Sequence, residues 1–316
     1  MMEQRILAVF AERPGEYISG EQLSGMLGVS RTAVWKQIRK LMNEGYTFEA
    51  VPRRGYKLTG EPDRLSVPAM LAELDTKTMG RSIRLFDEVG STQTIAHRLA
   101  KEGAPEGTLI VAEQQTEGRG RMGRSWHSPK GKGLWMSLLL RPRIPVQFTS
   151  QLTLLTAVAV CRAIRKLANV EAGIKWPNDL LIGGKKVCGI LLESSAEDER
   201  LLYVVAGIGI SVNLDLGDYP EALRDKAISL KMAAGKEISR TKLLRTVLKQ
   251  FEELYFLYQA EGFAPIKTAW EALAVSLGKP VRTHSVSGIA ESIDDSGALA
   301  VRTEEGKIVK LYSAEI

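Results

Sequence analysis

Gly118-Arg-Gly-Arg-Met-Gly-Arg124 is the most informative stretch of this sequence, and its residue types indicate a loop that holds an anion. Its glycines let backbone amides approach a ligand because no Cβ stands in the way, and its arginines present guanidinium groups that suit carboxylate and phosphate oxygens. The same letters fit the dinucleotide fingerprint G-x-G-x-x-G, which needs a strand before the loop and a helix directly after it. Residues 108–112 are a predicted strand, but Pro129 and two glycines between residues 125 and 133 exclude the helix. We therefore interpret residues 118–124 as an anion-binding loop outside a dinucleotide fold.

Strands and helices mix around this loop. Predicted strands cover residues 83–89, 108–112, 134–140 and 201–213, residues 173–176 are extended, and residues 180–193 form a hairpin that turns at Gly183-Gly184. Gly90-Ser91-Thr92 caps a helix, and longer helices cover residues 149–168 and 240–261. This pattern predicts an α+β domain around a mixed sheet. Residues 214–239 are either a lid over a binding site or a short helix near residues 221–225 with surface loops.

The first sixty residues predict three helices and a hairpin. Ser19 and Gln22 make a capping box for the second helix, and Ser30 caps the third, whose buried stripe is Val34, Ile38 and Leu41. Residues 20–39 then form a helix-turn-helix, and residues 46–58 form a wing whose tip is basic. Turn-forming residues place a linker near residues 59–68.

Positive charge is concentrated in this segment. Residues 30–58 carry seven basic side chains against Glu44 and Glu49, whereas residues 1–29 carry two basic and four acidic ones. Such segregation favours a nucleic-acid surface over a domain that only contacts proteins, and a helix-turn-helix dimer predicts a palindromic operator. The side chains expected to contact DNA are Arg31, Thr32, Trp35, Lys36, Arg39, Arg53 and Arg54.

The composition indicates a globular protein of the cytoplasm with no membrane partner. The 316 residues are 44% hydrophobic and carry a net charge of +6. Apolar runs fall short of the roughly 18 residues of a membrane helix, and no apolar signal core follows the charged N-terminus. Cys161 and Cys188 lie in apolar stretches without metal-ligand spacing, which favours reduced core thiols. His127 is interpreted as a local hydrogen-bonding residue rather than a catalytic base.

Several pieces of the chain together resemble one family. They are Ser91-Thr92-Gln93, Gln115 before the arginine loop, Lys175-Trp-Pro-Asn-Asp179, Lys186 after a glycine turn, and Gly207-Ile-Gly-Ile-Ser-Val-Asn213. This set resembles the biotin protein ligases. With the DNA-binding module in front, the chain resembles over essentially its full length the bifunctional bacterial type, which also represses the biotin operon.

The resemblance implies an activity, its substrates and its site residues. Biotin and ATP with Mg²⁺ are substrates, no cofactor is permanently bound, and biotinyl-5′-AMP passes its biotinyl group to a lysine of the biotin carboxyl carrier domain of acetyl-CoA carboxylase or another biotin enzyme. The implied catalytic residues are Arg121, Lys186 and Asp179, with Mg²⁺ held by the triphosphate near Asp179 and not by the protein alone. The implied biotin contacts are Ser91, Thr92, Gln93, Gln115, Arg119, Gly120, Arg121 and Lys186. The implied adenylate contacts are Gly118, Gly123, Arg124, Lys175, Trp176, Asn178 and Asn213.

Four positions depart from the family pattern. Gly90 stands where Asp is often found, Gln93 where Asn is, Ser211 where Asn is common, and Glu117 where a small residue is usual. Lys186 also has a plain alternative as a solvated hairpin lysine, Trp176 is expected as a wall of the core or pocket rather than a stacking platform, and Asn178 and Asp179 are turn formers in their own right.

Three domains follow from these patterns. Residues 1–62 are the predicted winged helix-turn-helix, residues 66–272 the ligase domain, and residues 275–316 a small barrel, which the resemblance implies is SH3-like. That barrel either caps the catalytic domain or helps to receive the carrier. The expected function is a biotin ligase and repressor whose biotinyl-AMP is the corepressor of a homodimer. The alternatives are a lipoate-type ligase and a ligand-sensing transcription factor without catalysis.

Overall fold

Two units make up the fold, which a computed structural model describes for residues 2–43, 46–60, 63–198 and 200–312. Contacts divide the chain into Met1–Arg64 and Leu65–Ile316. Two residues of the predicted linker, 61 and 62, lie outside the described residues. So does Glu44, one of the two acidic residues of the segment 30–58.

The first unit is the predicted winged helix-turn-helix. Its elements are α1 (Met2–Ala11), α2 (Gly20–Leu27), α3 (Arg31–Asn43) and the antiparallel strands β1 (Thr47–Val51) and β2 (Gly55–Gly60). The capping box of Ser19 and Gln22 is present, and Ser30 Oγ accepts the backbone N–H of Ala33 at 3.2 Å. Leu23, Val34 and Ile38 are fully or almost fully buried, as their helical spacing predicts.

The second unit is a seven-stranded mixed sheet with helices on both faces. Its elements are α4 (Val67–Ala72), β3 (Ile83–Val89), α5 (Thr92–Lys101), β4 (Leu109–Gln115), β5 (Gly133–Leu140), α6 (Thr149–Ala168), β6 (Ala172–Lys175), β7 (Asp179–Ile182), β8 (Lys185–Glu197), β9 (Arg200–Ser211), α7 (Leu230–Ala234), α8 (Arg240–Glu261) and α9 (Ala264–Glu271). The strand order is β3-β4-β5-β9-β8-β7-β6, parallel between β3 and β4 and antiparallel elsewhere.

Both faces of the sheet are covered, which explains why β5 is buried along its whole length. Side chains of α5 pack with Ile110 and Val205 on one face, and those of α6 and α8 form the large core on the other. Cys161 and Cys188 are buried free thiols, as predicted. Burial raises the pKa of Cys161 to about 11 and also raises the pKa of Cys188.

One predicted detail of this unit is confirmed and another changes. The hairpin at Gly183-Gly184 is present, with φ of 56° and 79°, as a two-residue turn between β7 and β8 requires. The segment 214–239, however, contains α7 and two short 3₁₀ turns, Leu216–Asp218 and Glu221–Leu223. Its Tyr219 and Leu214 pack on Trp135, so the segment is folded against the sheet rather than structureless.

The C-terminal strands form a four-stranded antiparallel sheet in sequence order. They are β10 (Pro280–Arg282), β11 (Ser287–Ile293), β12 (Leu299–Thr303) and β13 (Ile308–Leu311). Tight turns at residues 294–297 and 303–306 connect β11 to β12 and β12 to β13, and Ser287 and Gly288 belong to β11. SH3-like closure stays a prediction, and residues 313–316 of the predicted domain lie outside the described residues.

Candidate active site

A cleft of about 370 Å³ gathers most of the predicted site residues. Its floor is formed by β5, β8 and β9, and the segment 119–126 covers one side. The predicted residues that line it are Ser91, Thr92, Gln93, Gln115, Arg119, Gly120, Arg121, Arg124, Lys175, Trp176, Asn178, Asp179 and Lys186. Gly118, Gly123 and Asn213 do not line it.

One end of the cleft, which we call the neutral end, is a network of uncharged hydrogen bonds. Gln115 Oε1 accepts the backbone N–H of Thr92 at 2.9 Å and the Thr92 hydroxyl at 3.0 Å. Ser137 Oγ lies 2.9 Å from the Thr92 hydroxyl and donates to Gln93 Oε1 at 2.8 Å. Gln93 Nε2 donates to the carbonyl of Leu191 at 3.1 Å, so the long amide reaches across to β8. These groups suit a neutral polar ligand that both donates and accepts.

Glycines on the floor make room for two large side chains. A Cβ on Gly207 would lie 2.9 Å from Gln93 Oε1, and one on Gly209 would lie 2.4 Å from Trp126 Nε1. A Cβ on Gly189, on the neighbouring strand, would lie 2.9 Å from the same indole ring. Alternate residues of a strand point to one face, so the repeat Gly-Ile-Gly opens that face to the cleft while its isoleucine points away.

The segment 118–126 folds as a small hairpin, which we call the clamp. The carbonyl of Gly118 accepts the N–H of Trp126 at 2.7 Å, and Gly120 donates to the carbonyl of Arg124 at 2.7 Å. Its tip is a 3₁₀ turn in which Met122 adopts φ 55° and is 78% exposed. No helix of four or more residues follows it in the described segment up to β5, which agrees with the rejection of a dinucleotide loop.

The other end of the cleft, the cationic end, carries paired charges and dipoles. Lys186 Nζ lies 2.7 Å from Asp179 Oδ1 and 5.3 Å from the centre of the Trp126 ring. Arg121 donates to Asn178 Oδ1 at 2.9 Å, and Asn178 Nδ2 donates to the carbonyl of Ile190 at 2.7 Å. Lys186 thus faces the cleft and is not a purely solvated hairpin lysine.

Asn213 lies outside the cleft, whereas Trp176 forms part of its wall. The side-chain amide of Asn213 donates to the carbonyl of Ile238 at 2.9 Å and accepts its N–H at 3.0 Å, so it fastens the end of the 214–239 segment. Trp176 is 2% exposed, and its indole donates to the carbonyl of Gly297 at 3.2 Å, as expected for a wall. His127 Nε2 lies 2.7 Å from the carbonyl of Asp218, a local hydrogen bond as predicted.

Three residues of the cleft and the clamp were not among those predicted from the sequence. The ring of Trp126 lies beneath the Lys186 amine, and Ser137 donates to Gln93 at the neutral end. Glu193 pairs with Arg119, with Oε2 at 3.3 Å from Nη2. The alternating glycines of β9 were the available signal for Trp126, because glycines facing a cleft mark the close approach of something large. Nothing local in the sequence marked Ser137 or Glu193.

A second candidate surface lies on the first unit. Arg31, Thr32 and Trp35 of α3 and Arg53 of the wing line one groove of about 750 Å³. Arg54 stacks on the ring of Tyr17 at 4.1 Å, and Arg39 lies over Trp35 at 5.1 Å. All seven predicted DNA contacts are exposed.

Within residues 2–43, 46–60, 63–198 and 200–312, no three His, Cys, Asp or Glu side chains lie close enough together to hold a metal ion. Of the helices in the part of the chain that the structure describes, none is long and apolar enough to cross a membrane.

Comparison with known proteins gives three family matches. The biotin/lipoate A/B protein ligase family matches residues 85–211, a helix-turn-helix domain matches residues 3–57, and the biotin protein ligase C-terminal domain matches residues 276–316.

Full-length relatives and a solved structure agree with these matches. The bifunctional ligase/repressor BirA of Bacillus subtilis is 48% identical over 100% of this chain and 98% of its own length. That of Escherichia coli is 31% identical over 97% of this chain and 93% of its own length. The biotin protein ligase from Aquifex aeolicus, solved with biotin and ATP, has a TM-score of 0.64 at 32% identity and covers 74% of this chain and 96% of its own.

Proposed function

The chain belongs to the biotin/lipoate A/B protein ligase family, and from this membership we propose that it is a bifunctional biotin protein ligase and transcriptional repressor. One observation carries the enzyme half of the proposal: a single cleft joins a neutral hydrogen-bonding end to a cationic end. Biotin has the matching polarity, with an uncharged ureido ring at one end and a carboxylate at the other.

The reaction needs no nucleophilic side chain. A carboxylate oxygen of biotin attacks the α-phosphorus of ATP, the bond to the bridging oxygen breaks, and pyrophosphate leaves. Two anions must be held together for this step, so cationic groups that neutralise the growing charge supply much of the catalysis. Lys186 and Arg121 are proposed for that role, because both line the cleft and contact the neighbouring residues Asp179 and Asn178 at its cationic end. The carrier lysine then attacks the acyl carbon and AMP leaves.

Magnesium belongs with the nucleotide in this proposal. The cleft offers one carboxylate near the implied triphosphate, Asp179, and that group is paired with Lys186. A single carboxylate fits an Mg²⁺ that the triphosphate oxygens and water largely coordinate. When bound, the ion would add to the neutralisation of phosphate charge.

The clamp explains how the intermediate survives. A mixed anhydride hydrolyses in water, so the ligase must exclude solvent until the carrier lysine arrives. The clamp lies along the cleft and contributes Arg119, Gly120, Arg121 and Arg124 to its lining. We propose that it closes over the adenylate, with the ring of its own Trp126 forming the inner wall of the closed cleft.

The repressor half rests on the first unit. An exposed helix and a basic wing share one groove, as a recognition helix and its flanking wing require. We propose that a homodimer, favoured by bound biotinyl-AMP, binds a palindromic operator, and that the carrier domain of acetyl-CoA carboxylase is the protein substrate. The proposed functional boundaries stay at residues 1–62, 66–272 and 275–316.

Pyrophosphate release tests the enzyme. The full chain is incubated with ATP, Mg²⁺ and either biotin or lipoate, and released pyrophosphate is measured. Release with biotin is expected. Release with lipoate alone would redirect the assignment to a lipoate-type ligase, and no release with either acid would leave a ligand-sensing transcription factor.

Operator binding tests the repressor. Arg31→Ala is expected to weaken binding to a biotin-operon operator duplex by about 1–3 kcal/mol, with ligation unchanged. Arg13→Ala, on an exposed residue outside the groove, is the control. Equal loss of DNA binding and ligation would instead assign the first unit a structural role.

A further inference from the structure

Glu193 joins the clamp to the helix that begins at the neutral end. Its Oε2 atom lies 3.3 Å from Nη2 of Arg119 and 3.0 Å from Nε2 of His97. His97 lies on α5, whose first residues are Thr92 and Gln93, and its Nδ1 lies 3.2 Å from the hydroxyl of Tyr203. One carboxylate on β8 therefore connects the clamp with the element that positions the biotin contacts.

The contact is made at the base of the clamp. Arg119 pairs with Ser125 across the hairpin, next to the Gly118–Trp126 hydrogen bond. Holding the Arg119 side chain therefore holds both arms of the hairpin. The clamp has a second attachment nearer its tip, where Arg121 donates to Asn178.

Charge explains why a carboxylate is needed here. The clamp carries three arginines within seven residues, and these repel one another when no anionic ligand is present. Glu193 offsets one of those charges from the protein side. Because His97 also contacts Oε2 while Tyr203 contacts the far side of the imidazole, the carboxylate is held in one orientation rather than left to rotate.

We propose that Glu193, oriented by His97, is a positioning residue that holds the clamp closed through Arg119 and thereby sets how long the adenylate stays bound. Arg119 then works through a protein carboxylate, whereas Arg121 and Lys186 meet the anions of the ligand. This inference rests on the proposed ligase function, because the adenylate is the ligand retained.

The test compares two glutamates of the same strand. Glu193→Gln keeps the size of the side chain and removes its charge, and Glu197→Gln makes the same change at an exposed position of β8. Each protein is loaded with biotin and ATP, freed of excess ligand, and the half-life of bound biotinyl-AMP is followed. Glu193→Gln is expected to shorten the half-life about two- to fivefold, in the range of a partly exposed ion pair, without changing the thermal midpoint. Glu197→Gln is expected to match the unchanged protein.

A double-mutant cycle separates this role from general loss of packing. If Glu193 acts through Arg119, Arg119→Ala alone shortens the half-life similarly, and the double variant is no worse than either single one. Additive effects, an unchanged half-life in Glu193→Gln, or a fall in thermal midpoint without a change in half-life would each overturn the proposal.

A second readout does not depend on ligase activity. Trypsin cuts after Arg121 and Arg124 when the clamp opens, so the ligand-free Glu193→Gln protein is expected to be nicked there faster than the Glu197→Gln protein. If no adenylate forms in the unchanged protein, the proposed ligase function fails. The trypsin measurement still tests whether Glu193 holds the clamp through Arg119. Equal nicking of the two variants would reject the role of Glu193 in holding the clamp and leave the proposed ligase function untouched.

Discussion

At the neutral end of the cleft, Thr92, Gln93 and Ser137 bind one another through uncharged hydrogen bonds, whereas at the cationic end Lys186 is held by Asp179 and Arg121 by Asn178. The neutral contacts connect a helix N-terminus to buried strands through side chains of the protein itself. The cationic contacts involve side chains on a hairpin and at the start of a strand, where phosphate oxygens would compete for the same donors.

Because of this difference, the two ends of one cleft can have separate roles, recognition at the neutral end and catalysis at the cationic end. In the proposed ligase, the neutral end sets which acid binds, because a ligand lacking the right donors would leave buried polar groups unpaired. The cationic end can exchange its protein partners for the ligand, so its interactions strengthen as charge develops during adenylation. Mutations at the two ends should therefore change different measured quantities.

Replacement of Lys186 is expected to have the largest effect, a loss of adenylate formation with little change in biotin binding. Lys186→Ala is expected to lower the rate of adenylate formation by about 100-fold or more, since it removes a cation from the developing charge, and to change biotin affinity little. Stopped-flow pyrophosphate release and biotin titration measure the two quantities. Lys185→Ala is the control, because that amine lies 3.4 Å from the carbonyl of Arg224 instead of facing the cleft. A loss below tenfold would argue against the catalytic role.

Replacement of Arg121 should affect retention more than recognition. Arg121→Ala removes the clamp contact with Asn178, and we expect adenylate release to accelerate about 10- to 100-fold, the size of a lost charge-assisted interaction. The measurement is loss of labelled adenylate after removal of free ligand. Met122→Ala, at the exposed tip of the same hairpin, is the control. Unchanged retention in Arg121→Ala would count against closure.

Replacement of Ser137 should report the neutral end by itself. Ser137→Ala leaves Gln93 Oε1 without its hydroxyl donor, and we expect the KM for biotin to rise about tenfold while the KM for ATP stays the same. Initial rates at varied biotin and varied ATP separate the two. Ser194→Ala, on an exposed position of β8, should change neither constant. An equal rise of both constants would mean that the two ends are not separate.

Replacement of Asp294, in the turn between β11 and β12, should affect stability and neither end of the cleft. Partial burial raises its pKa, but hydrogen bonds from Ser296, Lys310 and the backbone N–H of Ala298 outweigh this and lower the pKa to about 2. A lowered folded-state pKa stabilises the protein above the unfolded value near 3.8, and that contribution is lost as the pH falls towards 2.

Asp294→Asn is therefore expected to lower the free energy of unfolding by about 1 kcal/mol or less at pH 7, after allowance for solvent screening, and to have no such effect below pH 2. Urea unfolding at the two pH values checks this. Asp295→Asn, on the 99% exposed neighbour, is the control. A difference between Asp294→Asn and the unchanged protein that persists at low pH would contradict the assignment to this carboxylate.

Local patterns in the sequence predicted much of the fold. The capping box at Ser19, the two-residue turn at Gly183-Gly184 and the helix that follows Ser91 are each fixed by residues a few positions apart, so short-range rules reach them. The rejection of a dinucleotide loop also needed only Pro129 and its glycine neighbours.

The rest depended on contacts between distant parts of the chain. β5 pairs with β4 on one side and with β9 on the other, although β6 is the next strand in the sequence. No local signal specifies that order. Glu193 meets Arg119 from 74 positions away, which is why a cluster of arginines could be located from sequence but its protein partner could not. Asn213 was placed in the site because it ends a recognisable string, yet it lies beyond the end of β9 and its amide binds the backbone of Ile238.

The two buried cysteines make this protein convenient for fluorescence work. Cys161 and Cys188 are the only cysteines in the sequence, and burial raises the pKa of both thiols, so maleimide dyes, which react with exposed thiolates, should leave them unlabelled. A cysteine introduced by Met122→Cys would then carry a single dye at the tip of the clamp without prior removal of native thiols. Opening and closing of the hairpin could be watched one molecule at a time.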